Sequence, residues 1–214
     1  MTLCLKIDPG NPDEEKLAEA VRVLREGGVV AFPTETFYGL GADARNETAV
    51  EKIFRIKGRN FRNPLPVIIA DDGELIPLVE EIPAAATLLM KTFWPGPLTL
   101  IFRAAPPVSS RLTGGTGKIG IRVSSHPVAR FLAVGLAGPL TATSANPSGG
   151  PECASADAVI RDLSDLPDVV IDGGATPGCA GSTILDVTFS PPRILREGAI
   201  PSSLILNALP PTES

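Results

Sequence analysis

Gly28-Val29-Val30-Ala31-Phe32-Pro33-Thr34-Glu35-Thr36-Phe37-Tyr38-Gly39 opens as a buried strand and runs straight into hydroxyls and a carboxylate. A short apolar run bounded by glycine and proline reads as a strand covered on both faces. The polar residues beyond it stand where packing alone does not put them. Two further segments repeat the pattern. A helix starting near Asn46, with Val50, Ile53 and Phe54 inward, ends in Lys57-Gly58-Arg59. A short strand, Leu140–Thr143, runs into Ser144-Ala145-Asn146-Pro147-Ser148-Gly149-Gly150. Ligands of open α/β sheets bind just beyond strand ends. Three such mouths with hydroxyls, an amide and two cations point to a site for a polar, anionic small molecule.

Working outward, helices and strands alternate. Asn11 is read as the cap of the first helix, with Pro12, Asp13, Glu14 and Glu15 in its opening turn, where proline and acids suit the positive end of the dipole. Leu17, Val21 and Leu24 form its apolar stripe and Gly27-Gly28 ends it. Strands are predicted at Pro66–Ala70, Leu98–Phe102, Lys118–Val123, Val169–Ile171, Thr183–Val187 and Arg193–Arg196. Helices are predicted at Pro83–Phe93 with Leu88, Leu89 and Phe93 inward, at Pro127–Val134, at Ser155–Leu163 with Ser155 as cap, and at Ser202–Leu209. No internal repeat or linker interrupts this order. The expectation is one α/β (α+β) domain over residues 1–214, its core about 14–200, with helices flanking a twisted mixed sheet and a frayed tail over 210–214.

The chain has 214 residues, 43% hydrophobic and 20% charged, which is ordinary globular composition. Nineteen Lys and Arg against 24 Asp and Glu give a net charge of -5. That argues against a broad basic face for nucleic acid, and leaves room for a local cationic pocket. Cys4, Cys153 and Cys179 are far apart and His126 is the only histidine, so neither a zinc set nor a disulfide framework is expected. Reduced thiols, the lack of a charged leader before an apolar run, and the lack of an apolar stretch of roughly 18 residues predict a cytoplasmic protein without a membrane span.

Lys57 carries the sharpest clue to chemistry. It continues the inward stripe of Val50, Ile53 and Phe54, which puts a lysine at the edge of the core. Arg55, Arg59 and Arg62 lie close by, with no acid between Arg55 and Arg62. Two readings stand: cations stabilising a helix C-terminus, worth about 0.3–1 kcal/mol, or a phosphate site. The segment 141–150 likewise reads either as an Asn-Pro turn or as a set of short donors, Thr141, Thr143, Ser144 and Asn146, for phosphate oxygens. Thr113-Gly114-Gly115-Thr116-Gly117-Lys118 is not a P-loop. Position 112 is leucine, no Ser or Thr follows the lysine, and a strand comes next. It remains a loop able to fold over a ligand. Arg122 lies either on a solvated strand face or in a carboxylate clamp. No hydrolase triad is present, and His126, followed by proline, reads as a helix cap. The residues by themselves lead to a binder of an anionic small molecule, with the cations pointing to a nucleotide.

These segments together resemble the YrdC family over roughly Glu14 to Ile200. The resemblance rests on Pro33-Thr34-Glu35-Thr36-Phe37-Tyr38-Gly39-Leu40, Ile56-Lys57-Gly58-Arg59, Asn63-Pro64-Leu65-Pro66, Trp94-Pro95-Gly96-Pro97-Leu98-Thr99, Gly120-Ile121-Arg122, Ser144-Ala145-Asn146-Pro147-Ser148-Gly149, Gly181-Ser182-Thr183-Ile184 and Leu195-Arg196-Glu197-Gly198. It implies a YrdC-like fold with a concave ligand site and an L-threonylcarbamoyladenylate synthase. Such an enzyme joins L-threonine, bicarbonate and ATP into threonylcarbamoyl-AMP with release of pyrophosphate, for N6-threonylcarbamoylation of adenosine 37 in tRNA. By the family's Lys-x-Arg and Ser-x-Asn motifs, Lys57, Arg59, Ser144 and Asn146 would hold the nucleotide, with Arg196 facing it. Lys57 and Arg59 would serve catalysis. Thr34, Arg122 and Ser182 would hold threonine, Arg122 on its carboxylate. Mg²⁺ would travel with ATP, without a protein ligand set, and a tRNA threonylcarbamoyl transferase complex would take the product. Asn60 stands where many members carry proline, and Ile68 where some carry histidine. The extra C-terminal domain of the longer family form is not expected after Arg196. A YciO-type paralogue with another activity, and an RNA-binding module of the same fold, are the alternatives. Intact Lys57-x-Arg59 and Ser144-x-Asn146 favour the synthase, and the acidic balance disfavours direct RNA binding.

Overall fold

The computed structural model describes residues 2–8, 10–163 and 165–210. Its first half runs β1 (Leu3–Lys6), α1 (Glu14–Arg25), β2 (Val30–Phe32), β3 (Gly39–Gly41), α2 (Glu47–Lys57), β4 (Val67–Ile68), α3 (Ala84–Phe93) and β5 (Leu98–Arg103). The second half runs α4 (Ser110–Thr113), β6 (Lys118–Arg122), α5 (Pro127–Leu136), β7 (Leu140–Thr141), β8 (Thr143–Ser144), α6 (Ala156–Asp162), β9 (Val169–Asp172), β10 (Thr183–Asp186), β11 (Arg193–Arg196) and α7 (Ser202–Asn207). The mixed α/β class is as expected. Residues 211–214, most of the predicted frayed tail, lie outside the described residues.

The strands form two mixed sheets where one was expected. One has the order β1-β9-β2-β3-β8 and the other β11-β10-β5-β6-β4-β7. Parallel pairs (β1–β9, β2–β9, β5–β10, β4–β6) sit among antiparallel ones. The predicted strand Leu140–Thr143 is where the sheets part. Leu140 and Thr141 pair with Ile68 and Val67. Two residues on, Thr143 and Ser144 pair with Leu40 and Gly39 of the other sheet. Ala142 forms the corner, its N–H donating to the Pro66 carbonyl at 2.9 Å. The seam also consumes Thr141, whose hydroxyl accepts from the Ala42 N–H at 2.9 Å and which is fully buried. Thr141 is therefore a structural hydroxyl, buried in the seam and out of a ligand's reach. Gly41 is required here, because a Cβ would stand 2.8 Å from the Thr141 carbonyl and 2.7 Å from the Phe32 ring.

Two apolar clusters hold the layers. One packs Tyr38, Leu40, Val50, Ile53, Phe54, Leu100 and Phe102 around α2, α3 and the strands. The other packs Leu17, Val21 and Leu24 of α1 and Leu132 of α5 against Phe32 and Val169. The α1 stripe is as read, but its cap is Asp13. The Asp13 carboxylate accepts from the Glu15 and Lys16 N–H groups at 3.1 and 3.2 Å, whereas Asn11 forms an isolated bridge with Asp8. Asn46, Ser155 and His126 cap α2, α6 and α5, as their positions imply. Leu88 is on the solvent side of α3, with Ala86, Leu89 and Met90 inward. The strand predicted at Pro66–Ala70 shrinks to two residues, and α5 runs to Leu136. No helix among the described residues is long and apolar enough to cross a membrane.

Candidate functional site

A cleft of about 230 Å³ opens at the sheet seam. Thr34 enters it from the loop after β2, Arg59 from the turn after α2, Arg122 from β6, Ser144 from β8, Ser182 from the residue just before β10 and Arg196 from β11. Six of the eight sequence-predicted site residues thus share one cavity, though they come from six separate segments. Lys57 and Asn146 lie just behind its wall.

The loop after β2 folds on its own hydroxyls. The Thr34 Oγ1 donates to the Phe37 carbonyl at 2.6 Å and accepts from the Thr36 N–H at 3.2 Å. A serine- or threonine-closed turn of this kind replaces the backbone bonds that a strand end loses.

Lys57 is buried, and its ammonium does not project into the cleft. It donates to the carbonyls of Ser144 and Asn146, the latter at 2.6 Å. The Lys57 carbonyl accepts from the Ser148 N–H at 2.8 Å. Asn146 completes the turn by donating to the Pro147 and Gly150 carbonyls at 3.0 and 2.6 Å. Gly58, with φ of 59°, ends α2 in the left-handed conformation and lets the chain turn toward Arg59. Lys57 and Asn146 therefore brace the segment that presents Ser144.

Burial pushes the Lys57 ammonium down to about 8, and the Arg59 charge adds to the effect. In the unfolded chain the group titrates near 10.5. Below pH 8 both states hold the proton and the folded state bears the burial cost in full. Between pH 8 and 10.5 the unfolded chain holds a proton that the folded chain has released, so stability rises with pH. Denaturation midpoints of the wild type and Lys57→Met across this range should therefore diverge in favour of the wild type by about 3 kcal/mol at pH 10.5. Parallel profiles would show that Lys57 titrates normally.

The cation cluster Arg55–Arg62 splits. Arg55 pairs on the outside with Asp165 at 3.1 Å, and Arg62 is not part of the cleft wall. Arg59 is held against the turn beyond it, donating to the Pro64 carbonyl at 3.0 Å. Burial lowers its pKa, yet a guanidinium remains charged at every working pH, so its other donors face the cleft as a cationic fork.

Arg122 is buried, not on a solvated face. Its Nη1 donates to the Glu35 Oε1 at 3.2 Å, and the two side chains are only 9% and 13% exposed. The Ser124 hydroxyl donates to the other Glu35 oxygen. Burial lowers the Arg122 pKa, Glu35 opposes this, and the nearby Arg196 charge reinforces it. On the adjoining wall Arg196 donates to the Ser182 carbonyl at 2.8 Å, and the Ser182 hydroxyl lies 2.9 Å from the Thr99 hydroxyl. A Cβ on Gly198 would stand 2.2 Å from the Gly181 carbonyl, so only glycine lets β11 bring Arg196 this close to Ser182.

Glu35 and Thr99 were not singled out in the sequence. Thr99 had a signal, a hydroxyl in the apolar run Leu98-Thr99-Leu100. Glu35 had one too, a carboxylate between two threonines in a loop leaving a buried strand. The loop 113–118 does not reach the cleft; Thr113 closes α4, and Gly114, Gly115 and Gly117 adopt positive φ. Cys153 is buried, and burial pushes its thiol pKa up; Cys179 is exposed.

Comparison with known proteins agrees with this architecture. The family model for Sua5, YciO and YrdC proteins, described as telomere recombination, matches residues 22–198. The chain belongs to this family. Within the Sua5/YciO/YrdC family it is 44% identical over 189 residues to threonylcarbamoyl-AMP synthase of Pyrococcus abyssi, covering 88% of this chain and 56% of that protein. It is 36% identical to threonylcarbamoyl-AMP synthase of Vibrio cholerae, covering 86% of this chain and 98% of the relative. The structure of P. abyssi Sua5 complexed with L-threonine superposes with a TM-score of 0.94 at 41% identity, covering 97% of this chain and 61% of that one. E. coli YciO superposes at 0.84 with 31% identity, covering 93% of this chain and 97% of that one. The chain thus spans little more than half the length of the P. abyssi relative, and nearly all of the shorter ones.

Proposed function

We propose that this chain is a threonylcarbamoyl-AMP synthase supplying the N6-threonylcarbamoyladenosine modification of tRNA. The observation that carries the reading is one cleft with two kinds of anion site: a buried, carboxylate-backed Arg122 on one side and, on the other, beside the Ser144 turn, the guanidinium of Arg59, which has no carboxylate partner among the described residues. The relatives named above and the L-threonine complex of P. abyssi Sua5 support it.

The chemistry suits these residues. The threonine nitrogen attacks the carbon of bicarbonate, water leaves, and a carbamate forms. A carbamate oxygen then attacks the α-phosphorus of ATP and the P–O bond to pyrophosphate breaks. No protein nucleophile is needed. The protein aligns two anions and stabilises charge on the phosphates. In this reading Arg59, Ser144 and Arg196 hold the nucleotide, with Lys57 and Asn146 fixing the turn that presents Ser144. Thr34, Arg122 and Ser182 hold threonine. The hydrogen bonds from Arg196 to Ser182 join the two half-sites.

Among the described residues no three His, Cys, Asp or Glu come together as a metal-binding group. Glu152 is the carboxylate on the cleft wall. A Mg²⁺ ion would fit here as a passenger of the triphosphate, neutralising its charge, with Glu152 within the same cleft. Residues 1–214 are read as one domain, working in the cytoplasm and passing its product to a tRNA threonylcarbamoyl transferase complex.

Pyrophosphate release from ATP should require both L-threonine and bicarbonate. The check is a release assay omitting each in turn. Release indifferent to threonine would remove the synthase reading and favour a YciO-type activity.

A further inference from the structure

We infer that Glu35 is the specificity-determining residue that makes the amino-acid half of the cleft read a zwitterion and not a simple carboxylate. The inference rests on the proposed threonine site. The cleft wall carries Arg59, Arg122 and Arg196 against one lining carboxylate, Glu152, and a pocket with that excess of guanidinium groups would favour any anion, including bicarbonate and short hydroxy acids. Glu35 changes that locally. It sits against Arg122 at 3.2 Å, nearly excluded from water, with its second oxygen held by the Ser124 hydroxyl. Both carboxylate oxygens are thus held, and the charge is fixed directly behind the Arg122 guanidinium that lines the cleft.

Arg122 and Glu35 together are close to neutral. An α-carboxylate on the open side of the Arg122 fork gains the guanidinium and is repelled by Glu35. The α-ammonium of the same molecule is attracted by Glu35. A ligand carrying both charges matches the pair, whereas a ligand carrying only the carboxylate meets half of it. A ligand ammonium and a fixed carboxylate in a partly buried site attract strongly enough to shift a preference by about tenfold. The role is electrostatic, so it follows the charge at position 35 more closely than its shape.

The test compares L-threonine with (3R)-3-hydroxybutyrate, the same molecule without its amino group, by calorimetric titration of the whole protein. Wild type should prefer threonine. Glu35→Gln, which keeps size and hydrogen bonding, should reduce that preference about tenfold, whatever happens to either affinity alone. Glu35→Asp keeps the charge on a shorter stem. It should move both affinities together and hold the preference within about threefold. A merely structural role would weaken both ligands equally in either variant. An unchanged preference in Glu35→Gln, or a preference lost equally in Glu35→Asp, would overturn the inference while leaving the threonine site intact. A wild type that binds neither ligand would instead overturn the threonine reading, and this inference with it.

Discussion

Arg59→Ala is expected to lower turnover by about 10²–10³ while leaving the fold nearly as stable as the wild type. The side chain emerges just beyond the left-handed Gly58, and its hydrogen bonds within the protein go to the carbonyls of Asn63 and Pro64 in a surface turn. Losing such bonds at a partly exposed site costs roughly 1 kcal/mol. Under the proposed synthase reading the cleft loses more: the guanidinium that would take charge as pyrophosphate departs, in a pocket where the neighbouring Lys57 is already committed to the Ser144 and Asn146 carbonyls. No second cation on that segment can replace it, since Arg55 is paired with Asp165 on the outside. Arg59→Lys should recover only part of the rate, because an ammonium keeps the charge and loses the planar fork. Steady-state rates with ATP varied, together with thermal melting, check both halves. Near-normal turnover would return Arg59 to the role of a helix-end charge.

The contrast between Lys57 and Arg59 marks what the chain discloses. The phase of α2 put Lys57 at the core edge from local periodicity alone, and the structure has it buried there. The atoms that receive its ammonium lie 87 and 89 residues away, and nothing local announces them. The same holds for Glu35 and Arg122, 87 residues apart, since nothing near either in the sequence names the other as its partner. Helices α1 and α2 were legible from their apolar period and α6 from its Ser155 cap, although the cap of α1 lies at Asp13 and not at Asn11. In α3 nearly every position is small or apolar, so the period does not fix the inward face, and Leu88 went to the wrong side. The seam was illegible for another reason. Two-residue strands such as β7 and β8 carry no period, and only the Leu140–Ser144 pairing with two different partners reveals that the sheet divides there. The glycine-rich β3 lacks the apolar signature of a strand, and β1, although Leu3-Cys4-Leu5 is apolar, is a largely exposed edge strand of four residues. The resemblance motifs reached further than the periods because they mark the loops where the cleft is assembled.

Arg122→Met should abolish measurable threonine binding, leave ATP binding within a few-fold of the wild type, and destabilise the fold by about 3–5 kcal/mol. The two effects have separate causes. Stability falls because the Glu35 carboxylate, nearly excluded from water, loses its cation and keeps only the Ser124 hydroxyl. Binding falls because the buried fork is the group set to meet a carboxylate bidentately. The double variant Arg122→Met with Glu35→Gln separates them. Removing both charges leaves a neutral amide beside an apolar chain of similar volume, and replacing a whole buried ion pair is often neutral or stabilising. Its melting temperature should therefore recover most of the loss, while threonine binding stays absent. ATP should be held nearly as well by both variants, because Arg59 and the Ser144 turn belong to other segments. Urea denaturation of the three proteins, with calorimetric titration of each ligand, gives the comparison. If the double variant regains threonine affinity along with stability, Arg122 acts through the fold and not on the substrate. If ATP affinity collapses in place of threonine affinity, the two halves of the cleft are assigned the wrong way round.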